Sequence, residues 1–176
     1  MLRNAKITLG AAAVGLVGLV AGPLSAANAA SEPRNVPPQV QVPAGNEFQF
    51  SARARGTQNY TCTGGTWTFT APEAKLYEHG EYVIHHFAGP TWQDIEDGSA
   101  VTAAAVKDAK VSPDPNSIPW LLLKKKTTSG DGRLSDITYI QRLHTRGGLA
   151  PTTGCTTTGA TLKVPYRAVY AFYAAS

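Results

Sequence analysis

The amino-acid sequence predicts an all-β fold: a single-domain antiparallel β-sandwich or barrel-like fold with one disulfide. Three observations carry this expectation. Apolar and polar residues alternate with period two in one segment after another, the pattern of strands with one buried face. Turn-forming strings (AGN, TGG, EHG, DGS, SGDG, RGG) fall between most of these segments. Two cysteines, Cys62 and Cys155, lie behind what reads as an export signal, and an even pair outside the cytosol is expected to be oxidised.

Taken in order, residues 1–29 read as a signal peptide. Arg3 and Lys6 give a positive start, residues 7–21 are apolar and uncharged, and Pro23 breaks the run. Ala27 and Ala29 then supply a small-x-small cleavage pattern. The run is short and glycine-rich for a span, which needs roughly 20 apolar residues, so no membrane span is expected after cleavage. Residues 30–46 form a Pro-rich arm and residues 47–176 the β domain. FQFSARA places Phe48, Phe50, Ala52 and Ala54 on one side. QNYTC and TWTFT are strands joined at Gly64-Gly65, a two-residue hairpin turn. EYVIHHF is the next strand. Gly89 and Pro90 then make a corner, a short strand runs through Trp92, and Asp97-Gly98 turns the chain again.

SAVTAAAV presents Val101, Ala103 and Ala105 as a small-residue face, and PWLLLK is a strand buried on both sides. LSDITYIQRLHT alternates longest. Ile137, Tyr139, Gln141 and Leu143 share one face; Thr138, Ile140, Arg142 and His144 share the other. On the first face Gln141 is buried and needs a hydrogen-bond partner. ATLKVPYRAVYAFY closes the domain, and Pro165 inside it demands an edge position or a bulge. Short helices are admissible at 72–77 and 103–109.

The formal charge of +4 falls to +2 once Arg3 and Lys6 are excluded, too little to argue for a nucleic-acid partner. A Cys62–Cys155 bridge would close a long loop, worth roughly 4–5 kcal/mol in the chain-entropy model. Neither cysteine belongs to a CxxC pair, so they do not read as metal ligands.

The string HHFAGPTWQDIEDGS, residues 85–99, concentrates the candidate chemistry. His79, His85, His86, Asp94, Glu96, Asp97 and His144 are metal-ligand types. However, His85 and His86 are adjacent on a strand and point to opposite faces, and no HxH or HExxH pattern occurs. No metal and no cofactor are expected. His86, Asp97 and Ser99 hold the residue types of a hydrolytic triad, without a GxSxG elbow. An Asp-Gly-Ser turn accounts for two of the three. Asp94, Glu96 and Asp97 could serve as a glycosidase acid–base pair only at separations of about 5 or 6.5–9.5 Å across a cleft.

Among the aromatics, Trp67 and Trp120 read as core, and Trp92 is the candidate for a ring that meets a sugar. Arg142, His144 and Arg146, opposite Lys124 or Lys126, would form a basic stripe able to hold an anionic polymer.

Five strings, GTQNYTCTGGTWTFTAPEAKLY, HHFAGPTWQDIEDGS, IPWLLL, LSDITYIQRLHTRGG and VPYRAVYAFY, occur in an order that resembles the domain-of-unknown-function 3455 family of secreted bacterial and fungal proteins. The resemblance runs from about Val40 to Tyr173. It implies a secreted single domain and no activity. It draws attention to His86, Gly89, Pro90, Trp92, Asp97, Gly98 and Ser99, and to Gln141, Arg142, Thr145, Gly147 and Gly148. The functional reading is a non-catalytic exported binding or envelope-associated module, with carbohydrate as candidate ligand. Its partner would be an extracellular polysaccharide or an envelope component, and its ligand-binding candidates are His86, Trp92, Asp97, Gln141 and Arg142. The alternative is a secreted hydrolase or metal-dependent enzyme centred on His86 and Asp97, with Ser99 as a third catalytic candidate.

Overall fold

The computed structural model describes residues 31–176, so the signal-peptide reading lies outside the described residues. Eight strands follow one another: β1 (Asn46–Thr63), β2 (Thr66–Glu78), β3 (Glu81–Phe87), β4 (Thr91–Asp94), β5 (Ala100–Val111), β6 (Trp120–Ser129), β7 (Ile137–Gly147) and β8 (Thr161–Ala175). Each pairs antiparallel with the next and β8 returns to β1, so the sheet is a closed up-and-down barrel. Closure settles the choice between sandwich and barrel and leaves no open sheet edge. Eight strands enclose an interior just wide enough to be filled by side chains or to hold one small ligand.

Alternation decides which side chains enter. From β1, Phe50, Ala52 and Ala54 point inward, and from β8, Tyr166, Ala168, Tyr170 and Phe172; with Leu76, Ile84, Trp92, Val101, Leu123 and Ile140 they form the main core. Phe50 stacks on Phe172 with centroids 4.5 Å apart. On neighbouring strands Ala52 lies beside Tyr170 and Ala54 beside Leu76. At Gly56 the strands approach so closely that a Cβ would collide with the Glu73 carbonyl.

A second, smaller cluster lies outside the barrel. Val40, on the single 3-10 turn Pro38–Val40 of the N-terminal arm, packs with Leu122, Leu143 and Ala109. Leu122 points outward to this cluster while Leu123 points inward, which is why the run PWLLL is apolar throughout. Gln141 faces the same side. Its Nε2 donates to the Val40 carbonyl at 2.7 Å and its Oε1 accepts from the Tyr173 hydroxyl at 2.9 Å. The arm is thereby tied to the barrel wall.

Several expectations are corrected. The segments at 72–77 and 103–109 are strand, because barrel closure needs their backbone groups for the ladder. Trp67 is only half-buried and Phe69 is 51% exposed. Trp120 packs on the outer cluster. Ile137 leaves the face of Tyr139 and Gln141 and joins the inner core, because the register shifts between Ile137 and Tyr139. A second shift, between Leu143 and Arg146, breaks up the basic stripe. Arg142 faces the lumen, whereas His144 takes a positive φ of 50° and rests against Trp120 outside. Pro165 faces Thr57 on β1, while the β7 pairing ends one residue away at Gly147–Tyr166, so the missing N–H interrupts no β7 ladder.

Candidate functional site

The two ends of the barrel differ. At one end, the loop before β7 plugs the lumen and the string QDIEDGS holds it. Asp94 Oδ1 accepts the backbone N–H groups of Glu96 at 2.8 Å and Asp97 at 3.2 Å. Asp97 accepts from Ser99 N at 2.7 Å with one oxygen and from Arg133 N at 2.8 Å with the other. These bonds, the Arg133 one foremost, hold the Asp97 carboxyl below its ordinary pKa. The buried Ser99 hydroxyl accepts from Leu134 N at 3.0 Å, and the fully buried Leu134 closes the lumen. Arg133 lies over the Phe50 ring, 3.6 Å from its centroid, and donates to Glu78.

His86 is elsewhere. It pairs with Trp92 in the β3–β4 register, one inward step beyond the Ile84–Asp94 pair, and points into the lumen toward the other end. Among the described residues no hydrogen bond joins it to Asp97 or Ser99. Nor does any group of three or more His, Cys, Asp and Glu residues there suit a metal ion. Of the sequence candidates, His86, Trp92 and Arg142 meet in one place. Asp97 and Ser99 belong to the plug, and Gln141 to the outer wall.

The meeting place is a cavity of about 150 Å³ in the barrel mouth, lined by Gln58, His86, Trp92, Leu121, Arg142 and Tyr170 among others. A cavity of this size accepts a single six-membered ring. The His86 and Trp92 rings stack 4.1 Å apart at 12°, and Tyr170 meets both edge-on. His86 is 2% exposed and Trp92 1%. His86 Nδ1 lies 2.8 Å from the Thr91 carbonyl oxygen, to which it must donate, so Nε2 carries the lone pair. Burial pushes the imidazole down to about 3; the bond to Thr91 opposes the shift, and the Arg142 and His85 charges add to it. His86 is therefore neutral at pH 7.

Arg142 Nε and Nη2 both donate to the Pro119 carbonyl, at 3.1 and 3.0 Å. It is the one formal charge among the lining residues. Burial raises the Tyr166 and Tyr170 hydroxyls above their ordinary pKa, with the Arg142 charge acting in the opposite direction. Two buried donors have no partner among the described residues: Trp92 Nε1, and the Nε2 of Gln58, a residue 3% exposed. The Gln58 carboxamide stands beside the Tyr166 hydroxyl and offsets part of its shift, but its N–H groups make no hydrogen bond of acceptable geometry. A wider hollow of about 870 Å³ lies at the plugged end, around Arg133 and Thr138. It is an open dish in which Arg133 is engaged with Glu78 and Thr138 with Asn46.

Gln58 and Tyr170 escape a motif-based reading. Gln58 has a sequence signal nonetheless: counting inward by twos from Phe50 passes Ala52, Ala54 and Gly56 and reaches a glutamine where an apolar residue is expected.

Fold and site together define a class: a closed eight-stranded up-and-down barrel, packed and plugged at one end, with a mainly apolar cavity that holds Gln58, His86 and one cation, Arg142, at the other. Within that class, the chain belongs to the family described as Protein of unknown function (DUF3455), which it matches over residues 43–174. No curated protein and no solved structure matches the chain. The Cys62–Cys155 disulfide is formed, and no helix among the described residues is long and apolar enough to cross a membrane.

Proposed function

We propose that this is a non-catalytic, exported binding protein that holds a small acceptor-bearing ring, a single sugar unit, in the barrel mouth. The observation that carries the reading is the pair of buried, unpartnered donors, Gln58 Nε2 and Trp92 Nε1, beside one cavity. A buried donor left unpaired costs about 1–3 kcal/mol. Two at one cavity suit a ligand that brings its own acceptors. Arg142 favours a ligand with negative or strongly polar oxygens, and Leu121 and Leu123 give the C–H groups of a ring an apolar wall. The disulfide fits an oxidising, extracellular or envelope location. The enzymatic alternative is disfavoured because a histidine pushed down to about 3 is a weak base at neutral pH. Among the described residues that line the cavity there is no carboxylate and no serine.

Thermal shift of the oxidised protein with monosaccharides and uronic acids tests the reading, because a ligand bound only to the native state raises Tm by mass action. The expected result is a shift with at least one sugar that is lost in both Trp92→Phe and Gln58→Met. A shift that survives both substitutions, or none with any sugar, would overturn it.

A further inference from the structure

The barrel's outer wall carries a feature independent of the mouth. The register places Arg146 opposite Arg167, Arg167 opposite Arg55, Arg55 opposite Lys75 and Lys75 opposite His85. Five basic side chains thus form one unbroken row across β7, β8, β1, β2 and β3. Their neighbours in sequence, Ala54, Ala74, His86 and Ala168, are buried in the lumen, so the row itself points outward. Strands lie about 4.8 Å apart, so the four Arg and Lys positions extend over about 14 Å of the convex surface.

Like charges directly opposite one another destabilise a sheet, and three such pairs occur in succession here. Acids relieve only the two ends: Asp114 lies 3.6 Å from Arg146, and Glu73 lies 2.6 Å from His85. Among the described residues no ion pair engages Arg55, Lys75 or Arg167. The arrangement is a cost to folding that no ion pair among the described residues offsets at the centre of the row.

We infer that this row is a docking track for a linear acidic polysaccharide. One cation per strand presents a repeat comparable to a single pyranose ring along an extended chain, and guanidinium forks match carboxylates in two-pronged geometry. Tyr77 and Tyr82 flank the row, under Arg55 at 5.9 Å and Lys75 at 5.1 Å respectively, and hold the two cations against aromatic surface. Among the described residues the large exposed hydrophobics are Phe69, Ile95 and Leu149, and none belongs to the row, which argues against insertion of the row into a lipid surface.

The test is retention of the oxidised protein on immobilised polygalacturonate, with its fully methyl-esterified form, long-chain polyphosphate and single-stranded DNA as parallel arms at equal ionic strength. Arg55→Gln/Arg167→Gln is compared with Lys107→Gln/Lys110→Gln, which removes the same charge from exposed positions on β5. The expected result is salt-sensitive binding to the free-acid polymer, absent for the ester. It should weaken about tenfold or more in the row variant and little in the β5 variant. The row variant should melt no lower than the parent, since it removes repulsion, so lost binding is not lost folding. Gln58→Met should bind the polymer undiminished, which separates this track from the barrel mouth. Equal weakening by both double variants, tighter binding to polyphosphate or DNA, or no binding to polygalacturonate would overturn the assignment.

Discussion

The plugged end and the open mouth are built from the same β3–β4 hairpin, yet they treat polar groups in opposite ways. At the plug, both Asp97 oxygens, the Ser99 hydroxyl and the Arg133 guanidinium meet protein partners. At the mouth, Gln58 and Trp92 keep buried donors with no partner, and Arg142 is anchored through one carbonyl. Polar groups retained for folding are expected to be satisfied within the chain. Groups left unsatisfied in a well-packed barrel point to an external partner. QDIEDGS, the part richest in catalytic residue types, therefore belongs to the architecture, and the neighbouring HHFAGPTW belongs to the candidate site.

The largest effect should come from the covalent staple. The plug is held by a hydrogen-bonded loop, but the mouth end relies on Cys62–Cys155, which binds the end of β1 to the segment before β8 across 93 residues. Cys155 N also donates to Gly65 O at 2.9 Å and Cys62 N to Ala160 O at 2.8 Å. Cys62→Ala/Cys155→Ala should lose about 4–5 kcal/mol of unfolding free energy in urea. Any sugar-dependent Tm shift should disappear with it. A loss below about 1 kcal/mol would mean that these backbone bonds hold the segment unaided.

The next effect is a pH dependence that separates the two ends. His86 is held down to about 3, against 6.5 when unfolded. Between those values the unfolded chain binds a proton that the folded chain does not. Stability should therefore be flat above pH 6.5 and fall as pH drops, by about 1.4 kcal/mol per unit, or about 3 kcal/mol at pH 4.5. Asp97 and Asp114 are shifted down from 3.8, so their contribution is present above the ordinary carboxylate range and is lost only at lower pH. Urea melts from pH 8 to 4.5 should show the upper slope in the parent and not in His86→Gln. An equal slope in both would place the proton elsewhere.

Much of this fold was legible in the sequence because strand alternation and turn chemistry are local. The Gly-Pro corner, the short strand through Trp92 and the Asp-Gly turn lie where the residues put them. Closure was not legible, since the β1–β8 pairing, from Asn46–Ala175 to Thr61–Thr161, joins the two ends of the domain through no local signal. The two shifts in β7 were hidden for a related reason. A bulge is one residue long, yet it reverses which face each later side chain meets, and so Arg142 and His144 part company. The site was half legible. His86, Trp92 and Arg142 stand out as residue types, but Gln58 acquires meaning only once its strand is known to line a lumen. The row from Arg146 to His85 is invisible in sequence, because its members are neighbours only across strands.

The smallest effect is also the sharpest test of the contrast, because it should change sign between the two ends. Ser99→Ala removes the acceptor of the Leu134 N–H in the plug and should cost about 1–3 kcal/mol, since a buried donor is then stranded. Gln58→Met removes a donor already stranded, at similar volume, so the folded state gains relief from its desolvation. The expected change is a stabilisation of up to about 1 kcal/mol, with loss of the sugar-dependent shift. Urea denaturation of both variants, with and without the best-binding sugar, measures the two together. If Gln58→Met instead destabilises by as much as Ser99→Ala, the carboxamide is part of the internal scaffold. The mouth would then be a second plug, and the distinction between the two ends would collapse.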